Sequence, residues 1–75
     1  MTKSFLHFSD ENGEGCINLR KVVAIRYGDQ PGSFGSYYII SFHFTGSVIK
    51  VSFNEKDTVD EFYNKAVKQW KAIFL

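Results

Sequence analysis

Apolar and polar residues alternate along most of the first two thirds of the chain, and short turn signals interrupt the alternation. A period of two is typical of strands that bury one face, and the Asn12-Gly13 pair is a strong hairpin signal. The second apolar segment slips by one position at Arg20-Lys21, which indicates a kink. We therefore predict about four strands, in the segments "SFLHF", "CINLRKVVAIRY", "SYYIISFHF" and "VIKVSF".

The last segment, "TVDEFYNKAVKQWKAIF", has the periodicity of a helix. Thr58 followed by Glu61 matches a capping box, with Asp57 as an alternative cap. The apolar positions recur every three or four residues and form one stripe. They are Val59, Phe62, Tyr63, Ala66, Trp70 and Ile73.

Together these elements predict an α+β fold in a single small domain, residues 1–75. We expect an antiparallel meander of about four strands with the C-terminal helix packed on one face. Alternation along the third strand places Tyr38, Ile40, Phe42 and Phe44 on the side that the helix covers.

The other side of this sheet is the first candidate functional surface. It carries Tyr37, Ile39 and His43, whereas a solvated face of an antiparallel sheet is normally polar. A half-apolar face without a covering helix indicates either a sheet that curls into a partial barrel or a surface that contacts a second copy, another protein or a ligand. We expect it to bind a protein partner, and we expect a homodimer formed through this face or through a strand edge.

The segment "YGDQPGSFGSY" is rich in Gly and Ser and predicts a long loop between the second and third strands. It places Phe34 between flexible residues. Two interpretations stay open: the ring folds back onto the sheet, or it is an aromatic anchor on a mobile recognition loop. We include Phe34 among the candidate partner-binding residues, with Tyr37, Ile39 and His43.

The balance of charge weakens two classes of partner. The chain has 75 residues and a net charge of +1, so no bulk electrostatic attraction draws it to nucleic acid or to a membrane. A single cysteine, Cys16, cannot form an internal disulfide. With no secretory leader and no apolar run of about 20 residues, we expect a cytoplasmic protein without a membrane partner.

Candidate chemistry is sparse. His7, His43 and Cys16 are residue types that bind metals, but their spacing matches no ligand signature, and we expect the two histidines and a buried thiol to pack as structural residues. The sequence contains no nucleophile elbow and no phosphate-binding loop. We therefore predict no enzyme activity, no cofactor and no metal.

Nucleic-acid binding is the alternative function. Lys65, Lys68 and Lys71 lie on the polar side of the predicted helix, and strand aromatics can stack single-stranded bases. A solvated helix face explains the same lysines, because cations near a helix C-terminus suit its dipole.

The segments "INLRKVVAIRYGD" and "YYIISFHFTGSVIKVSFNEKDTVDEFYNKA" also carry a resemblance. With Asn18 ahead of an Ile-rich strand, a Gly-containing hairpin and the run Val59-Asp60-Glu61 in the helix, the layout resembles small bacterial proteins of the FlbD-like, swarming-motility kind. The similarity spans Ile17 to Val67, and the chain departs from it in a longer Gly-rich loop and a longer, more aromatic helix. The resemblance implies a small non-catalytic regulatory protein and assigns no functional residues.

Overall fold

The computed structural model describes residues 4–10, 13–32 and 35–74, and this part of the chain forms five strands and one long helix. The fold is α+β, as predicted. However, the strands form two antiparallel sheets, β1–β2 and β3–β4–β5, instead of one meander of about four strands. The elements are β1 (Phe5–Asp10), β2 (Gly13–Asn18), a 3₁₀ turn (Leu19–Lys21), β3 (Ala24–Gly32), β4 (Gly35–Phe44), β5 (Ser47–Phe53) and α1 (Lys56–Ile73).

The predicted second strand is in fact two strands separated by the 3₁₀ turn. The Asn18 side chain accepts a hydrogen bond from the Arg20 backbone N–H at 3.1 Å, which is a local alternative to the strand ladder. The Leu19 backbone N–H donates to the Ser4 carbonyl at 2.7 Å, and Arg20 Nε donates to Ser4 Oγ at 2.8 Å. These bonds turn the chain at the point where the alternation slips, so β2 and β3 belong to different sheets.

The predicted long loop is mostly strand. β3 and β4 stay paired down to Gly32 opposite Gly35, so only residues 33 and 34, outside the described part, separate them. Pro31 is tolerated because β3 is an edge strand, where one side of the backbone needs no ladder partner. β5 ends with Phe53 opposite Tyr38, so the β3–β4 pair extends beyond it as a two-stranded arm.

The core lies between the helix and one face of the β3–β4–β5 sheet. Strand alternation turns the even-numbered residues of β4 toward α1, and the β1–β2 hairpin closes the same core from the side. No polar side chain of the described residues is buried. The buried side chains are Leu6, Ile17, Leu19, Val22, Ile40, Phe42, Val51, Val59 and Ala66.

Aromatic rings attach the helix to the sheet. Phe62 meets Phe42 edge-on, with ring centroids 6.2 Å apart, and lies 5.1 Å from the ring of Phe53. Edge-to-face pairs of this kind stabilise a core beyond the area that they bury. Farther along the helix, Trp70 Nε1 donates to the Val22 carbonyl at 3.2 Å, so the indole satisfies its N–H while it packs against the core.

The helix begins earlier than its capping pattern predicted. Its N-cap is Glu55, which has an extended backbone and makes no side-chain capping bond. Thr58 and Asp57 lie inside the first turn, so the predicted capping box is wrong. The acidic Asp57 in the first turn still suits the positive end of the helix dipole.

Substitution of two adjacent isoleucines tests which face of β4 is buried. Replacing Ile40, which is fully buried, with Ala should lower the free energy of unfolding by about 2–5 kcal/mol, since it removes contacts and leaves a cavity. Replacing Ile39, half-buried on the opposite face, with Ala should cost less than about 1 kcal/mol. Urea unfolding of both variants measures the difference, and equal losses would contradict the assignment of faces.

Candidate partner-binding face of the sheet

The face of the three-stranded sheet opposite the helix, here called the open face, contains the three predicted sheet residues. Tyr37, Ile39 and His43 project to this side from β4, and all three are half-buried. None of the described residues on this face is buried or belongs to the core cluster. Strand pairing adds Ala24, Arg26 and Gly28 from β3, Ser41 from β4, and Val48, Lys50 and Ser52 from β5.

A groove with a volume of about 330 Å³ crosses the open face. Gly28 contributes no side chain, and a Cβ added there would have no atom within 4 Å, so the groove is open above the β3 backbone. Its lining comes from all three strands and is a mixture of apolar, hydroxyl and charged groups. The lining residues are Arg26, Tyr27, Gly28, Asp29, Ile39, Ser41, His43 and Lys50.

Positive charge dominates the centre of the groove. Arg26 pairs with Ser41 across one strand boundary, and Ser41 pairs with Lys50 across the next, so two cations flank one hydroxyl in a single row. Among the described residues, neither cation takes part in an ion pair or a side-chain hydrogen bond. Sequence alternation alone gave no sign of this row, because it depends on the register between strands.

His43 adds an unsatisfied polar atom to the groove. Its Nε2 is buried and has no hydrogen-bond partner among the described residues. Buried polar atoms are usually hydrogen-bonded. Because this nitrogen is closed off from solvent, a molecule bound in the groove would reach it only if the His43 ring turned toward the groove.

Tyr27 borders the groove through its position in β3, but its side chain lies on the helix side of the sheet, where the hydroxyl donates to Asp60 Oδ1 at 2.7 Å. Lys56 Nζ donates to Asp60 Oδ2 at 2.9 Å. The Lys56 and Tyr27 hydrogen bonds lower the pKa of the Asp60 carboxyl. Their shared carboxylate raises the pKa of both donors, Tyr27 and Lys56, and the carboxylate thereby connects β3 to the first turns of α1.

The remaining predicted residues lie elsewhere. Phe34 lies outside the described residues. Lys65, Lys68 and Lys71 are exposed on α1, which packs against the opposite face of the sheet. The core therefore separates these lysines from the open face, and most strand rings, including Phe42 and Phe53, contact the helix.

The β1–β2 hairpin brings together two of the three residues that the sequence analysis considered for metal binding. His7 pairs with Cys16 in the register, and His7 Nε2 lies 4.0 Å from Glu14 Oε1. Cys16 is exposed, so the expectation of a buried thiol is wrong: the hairpin covers the core with one face only, and Cys16 lies on the other. The described residues contain no group of three or more metal-binding side chains suited to hold an ion.

Three apolar side chains near the C-terminal end of α1 are exposed. Phe5, Val23 and Phe74 are each more than 60% exposed. Gln69 on the helix donates to the Phe5 carbonyl at 3.1 Å, and the ring of Phe74 packs edge-on against Trp70 at 6.1 Å. Their exposure makes this end of the molecule a second apolar surface.

Comparisons with known proteins give no family for the chain. No protein-family model matches it, and neither the curated proteins nor the solved structures contain a significant match. Within the part of the chain that the structure describes, no helix is long and apolar enough to cross a membrane.

The Asp60 contacts predict a pH dependence of stability. The pKa of the Asp60 carboxyl is lower in the folded protein than in the unfolded chain. The carboxylate therefore stabilises the fold fully above its unfolded pKa of about 4, and this stabilisation is lost as the pH falls through the folded pKa. The pKa of the Tyr27 hydroxyl is higher in the folded protein than in the unfolded chain. The protonated hydroxyl therefore stabilises the fold below its unfolded pKa, and this stabilisation is lost as the pH rises through the folded pKa. Asp60→Asn should therefore destabilise the protein more at pH 7 than at pH 2.

Urea unfolding midpoints of the wild type and Asp60→Asn at both pH values measure this effect. Asp57→Asn is the matched control, since it removes a carboxylate from the same turn of the helix. An equal destabilisation by Asp60→Asn at both pH values would show that the carboxylate does not stabilise the fold through its charge.

Exposure of Cys16 predicts that its thiol is accessible in the folded protein. The native protein should react with 5,5′-dithiobis(2-nitrobenzoate) to one equivalent, at a rate within about tenfold of the urea-unfolded chain, because no local unfolding is needed. Absorbance at 412 nm follows the reaction, with Cys16→Ser as the blank. Strong protection in the native state would contradict the placement of Cys16 on the outer face of the hairpin.

Proposed function

We propose that this protein is a small non-enzymatic adaptor or regulatory module that acts through protein contacts made by the open face. The observation that carries the proposal is a sheet face with half-buried Tyr37, Ile39 and His43 and with Val48 41% exposed, over which no core residue packs. Exposed apolar groups gathered on one face and flanked by polar ones are typical of interaction surfaces.

The composition of the open face supports a protein partner. Its apolar residues lie beside hydroxyls and cations, as in non-obligate interfaces, which are about as apolar as the rest of a protein surface. Tyrosine and arginine are frequent among residues that dominate binding energy. Tyr37 and Arg26 supply both types here.

A homodimer stays part of the proposal, through the open face or through a strand edge. β3 is an edge of the three-stranded sheet, and an unpaired edge can receive a strand from another chain. The exposed Phe5, Val23 and Phe74 give a further apolar area for such a contact.

A non-enzymatic role is supported by the surroundings of the most reactive side chains. Cys16 and His7 lie on the outer face of a two-stranded hairpin, with His7 62% and Glu14 73% exposed. Catalysis by such groups depends on an enclosed site with positioned donors for the developing charge. The resemblance to FlbD-like proteins is in keeping with a regulatory role.

Single-strand nucleic-acid binding is the second candidate, through Lys65, Lys68 and Lys71 and the strand rings. The exposure of the three lysines favours it. The distribution of rings does not, because a base-stacking platform needs aromatic side chains at the centre of an open sheet face. Here the central positions are Ile39 and Ser41.

Site-specific photo-crosslinking tests the proposed function. We expect p-benzoylphenylalanine at the exposed position Val48 to give one discrete protein adduct in cells, because that side chain lies on the open face. The same probe at Asn64, exposed on α1, is the matched control and should give none. Ile39→Asp in the same chain should abolish the adduct, since a charge would interrupt the apolar part of the face.

The mass of the adduct identifies the type of partner. An adduct of twice the monomer mass indicates the homodimer, and any other single mass indicates a different protein. The absence of an adduct at Val48, or equal adducts at Val48 and Asn64, would contradict the proposed function.

A further inference from the structure

We propose that the groove of the open face binds a carboxylate-bearing, extended segment of the protein partner, with a carboxylate held above Ser41 between Arg26 and Lys50. This inference rests on the proposed function, since it assigns a chemistry to the partner of the same face. The carboxylate is a glutamate or aspartate side chain, and the rest of the segment lies along the groove toward Gly28.

The strand register places the two cations on either side of one position. Arg26, Ser41 and Lys50 occupy neighbouring strands in one row. Adjacent strands are about 4.8 Å apart, so the Cα atoms of the two cations are separated by about 10 Å. Two long side chains rooted at that separation can approach one anion from both sides, with arginine able to bind a carboxylate in bidentate fashion.

The donors of the groove are available for a ligand. Neither Arg26 nor Lys50 has an anionic partner among the described residues, so binding a carboxylate does not first require an internal ion pair to break. The Ser41 hydroxyl lies between the two cations in the same cross-strand row. A carboxylate bound there would accept hydrogen bonds from groups that make none among the described residues.

Gly28 gives the partner room to approach. It is not at positive φ, so its backbone does not require glycine. A side chain at this position would occupy the groove, where a Cβ would meet no atom within 4 Å. Glycine in a strand often marks a place where another chain comes close to the backbone.

The charges favour an acidic protein segment over two other occupants. A second copy docked with its two-fold axis at Ser41 would bring Arg26 and Lys50 near their own equivalents, where like charges are unfavourable, so the carboxylate site does not suit that arrangement of the homodimer. A nucleic-acid strand carries phosphates along its whole length, whereas the described groove lining contains two cations, Arg26 and Lys50, at one position. A peptide segment can place one carboxylate at the two cations and its uncharged backbone over Gly28.

The test is a titration of the ¹⁵N-labelled protein followed by heteronuclear NMR. The probe is an acetylated, amidated five-residue peptide with alternating valine and glutamate, and its control replaces both glutamates with glutamine. We expect the glutamate peptide to shift the amide signals of Gly28, Ser41 and His43, with those of α1 unchanged. The glutamine peptide should bind at least about tenfold more weakly, because charge-assisted hydrogen bonds are lost.

Charge variants assign the two cations. Arg26→Gln and Lys50→Gln should each weaken binding of the glutamate peptide by about tenfold or more. Lys65→Gln makes the same change in net charge at an exposed helix position and should leave the affinity within about twofold. Equal effects of all three would mean that net charge alone attracts the peptide, and the inference would be wrong.

A groove-filling variant separates binding from folding. Gly28→Val should keep or raise the thermal stability, because valine suits a strand and meets open space, while abolishing the peptide-induced shifts. Ser52→Val is the matched control, since Ser52 lies in the same cross-strand row as Gly28 and Ile39 but does not line the groove. Unchanged peptide binding by a folded Gly28→Val would overturn the inference.

The remaining outcomes distinguish this inference from the proposed function. If the peptide causes no shifts while the Val48 probe still gives a discrete adduct, the acidic partner is wrong and the protein-contact function stands. If neither experiment gives a signal, both are wrong. If an octathymidylate shifts the open-face amides and the peptide does not, the groove binds nucleic acid and the inference fails.

Discussion

The structure depends on the contact between the apolar stripe of α1 and one face of the β3–β4–β5 sheet. Val59 and Ala66 are fully buried against Ile40, Phe42 and Val51, and the described residues form no second α-helix that could cover the other face. A single helix can cover only one side of a sheet. The open face follows from this limit, because the residues that alternate with the core positions on β4 have no described element packed over them.

The same alternation explains why the face is chemically mixed. Residues on the side of the sheet away from the core do not need apolar side chains. Ser41 and the cations of the neighbouring strands are therefore tolerated beside Ile39 and Tyr37. Absence of a side chain at Gly28 then turns a flat surface into a groove. The binding properties that we propose therefore depend on residues that do not contribute to the core.

Local sequence signals predicted the secondary structure and its buried faces correctly where one interaction dominates, and incorrectly where two interactions compete. The period of the helix and the faces of β4 followed directly from burial, since apolar stripes have one stable orientation. The Gly- and Pro-containing segment before Tyr37 predicted a loop, yet pairing between β3 and β4 extended through it. The capping pattern at Thr58 was overridden because the helix continues one turn back, to Lys56, where Asp60 can bind both Lys56 and Tyr27.

By itself the sequence determined the class of fold, the helix with its buried stripe, and the assignment of Tyr37, Ile39 and His43 to the side away from the helix. These depend on the periodic spacing of neighbours along the chain. Only the tertiary structure decided that the strands divide into two sheets, that His7 lies opposite Cys16, and that Arg26 and Lys50 flank Ser41. Those arrangements depend on the register between strands distant in sequence, and no local pattern specifies that register.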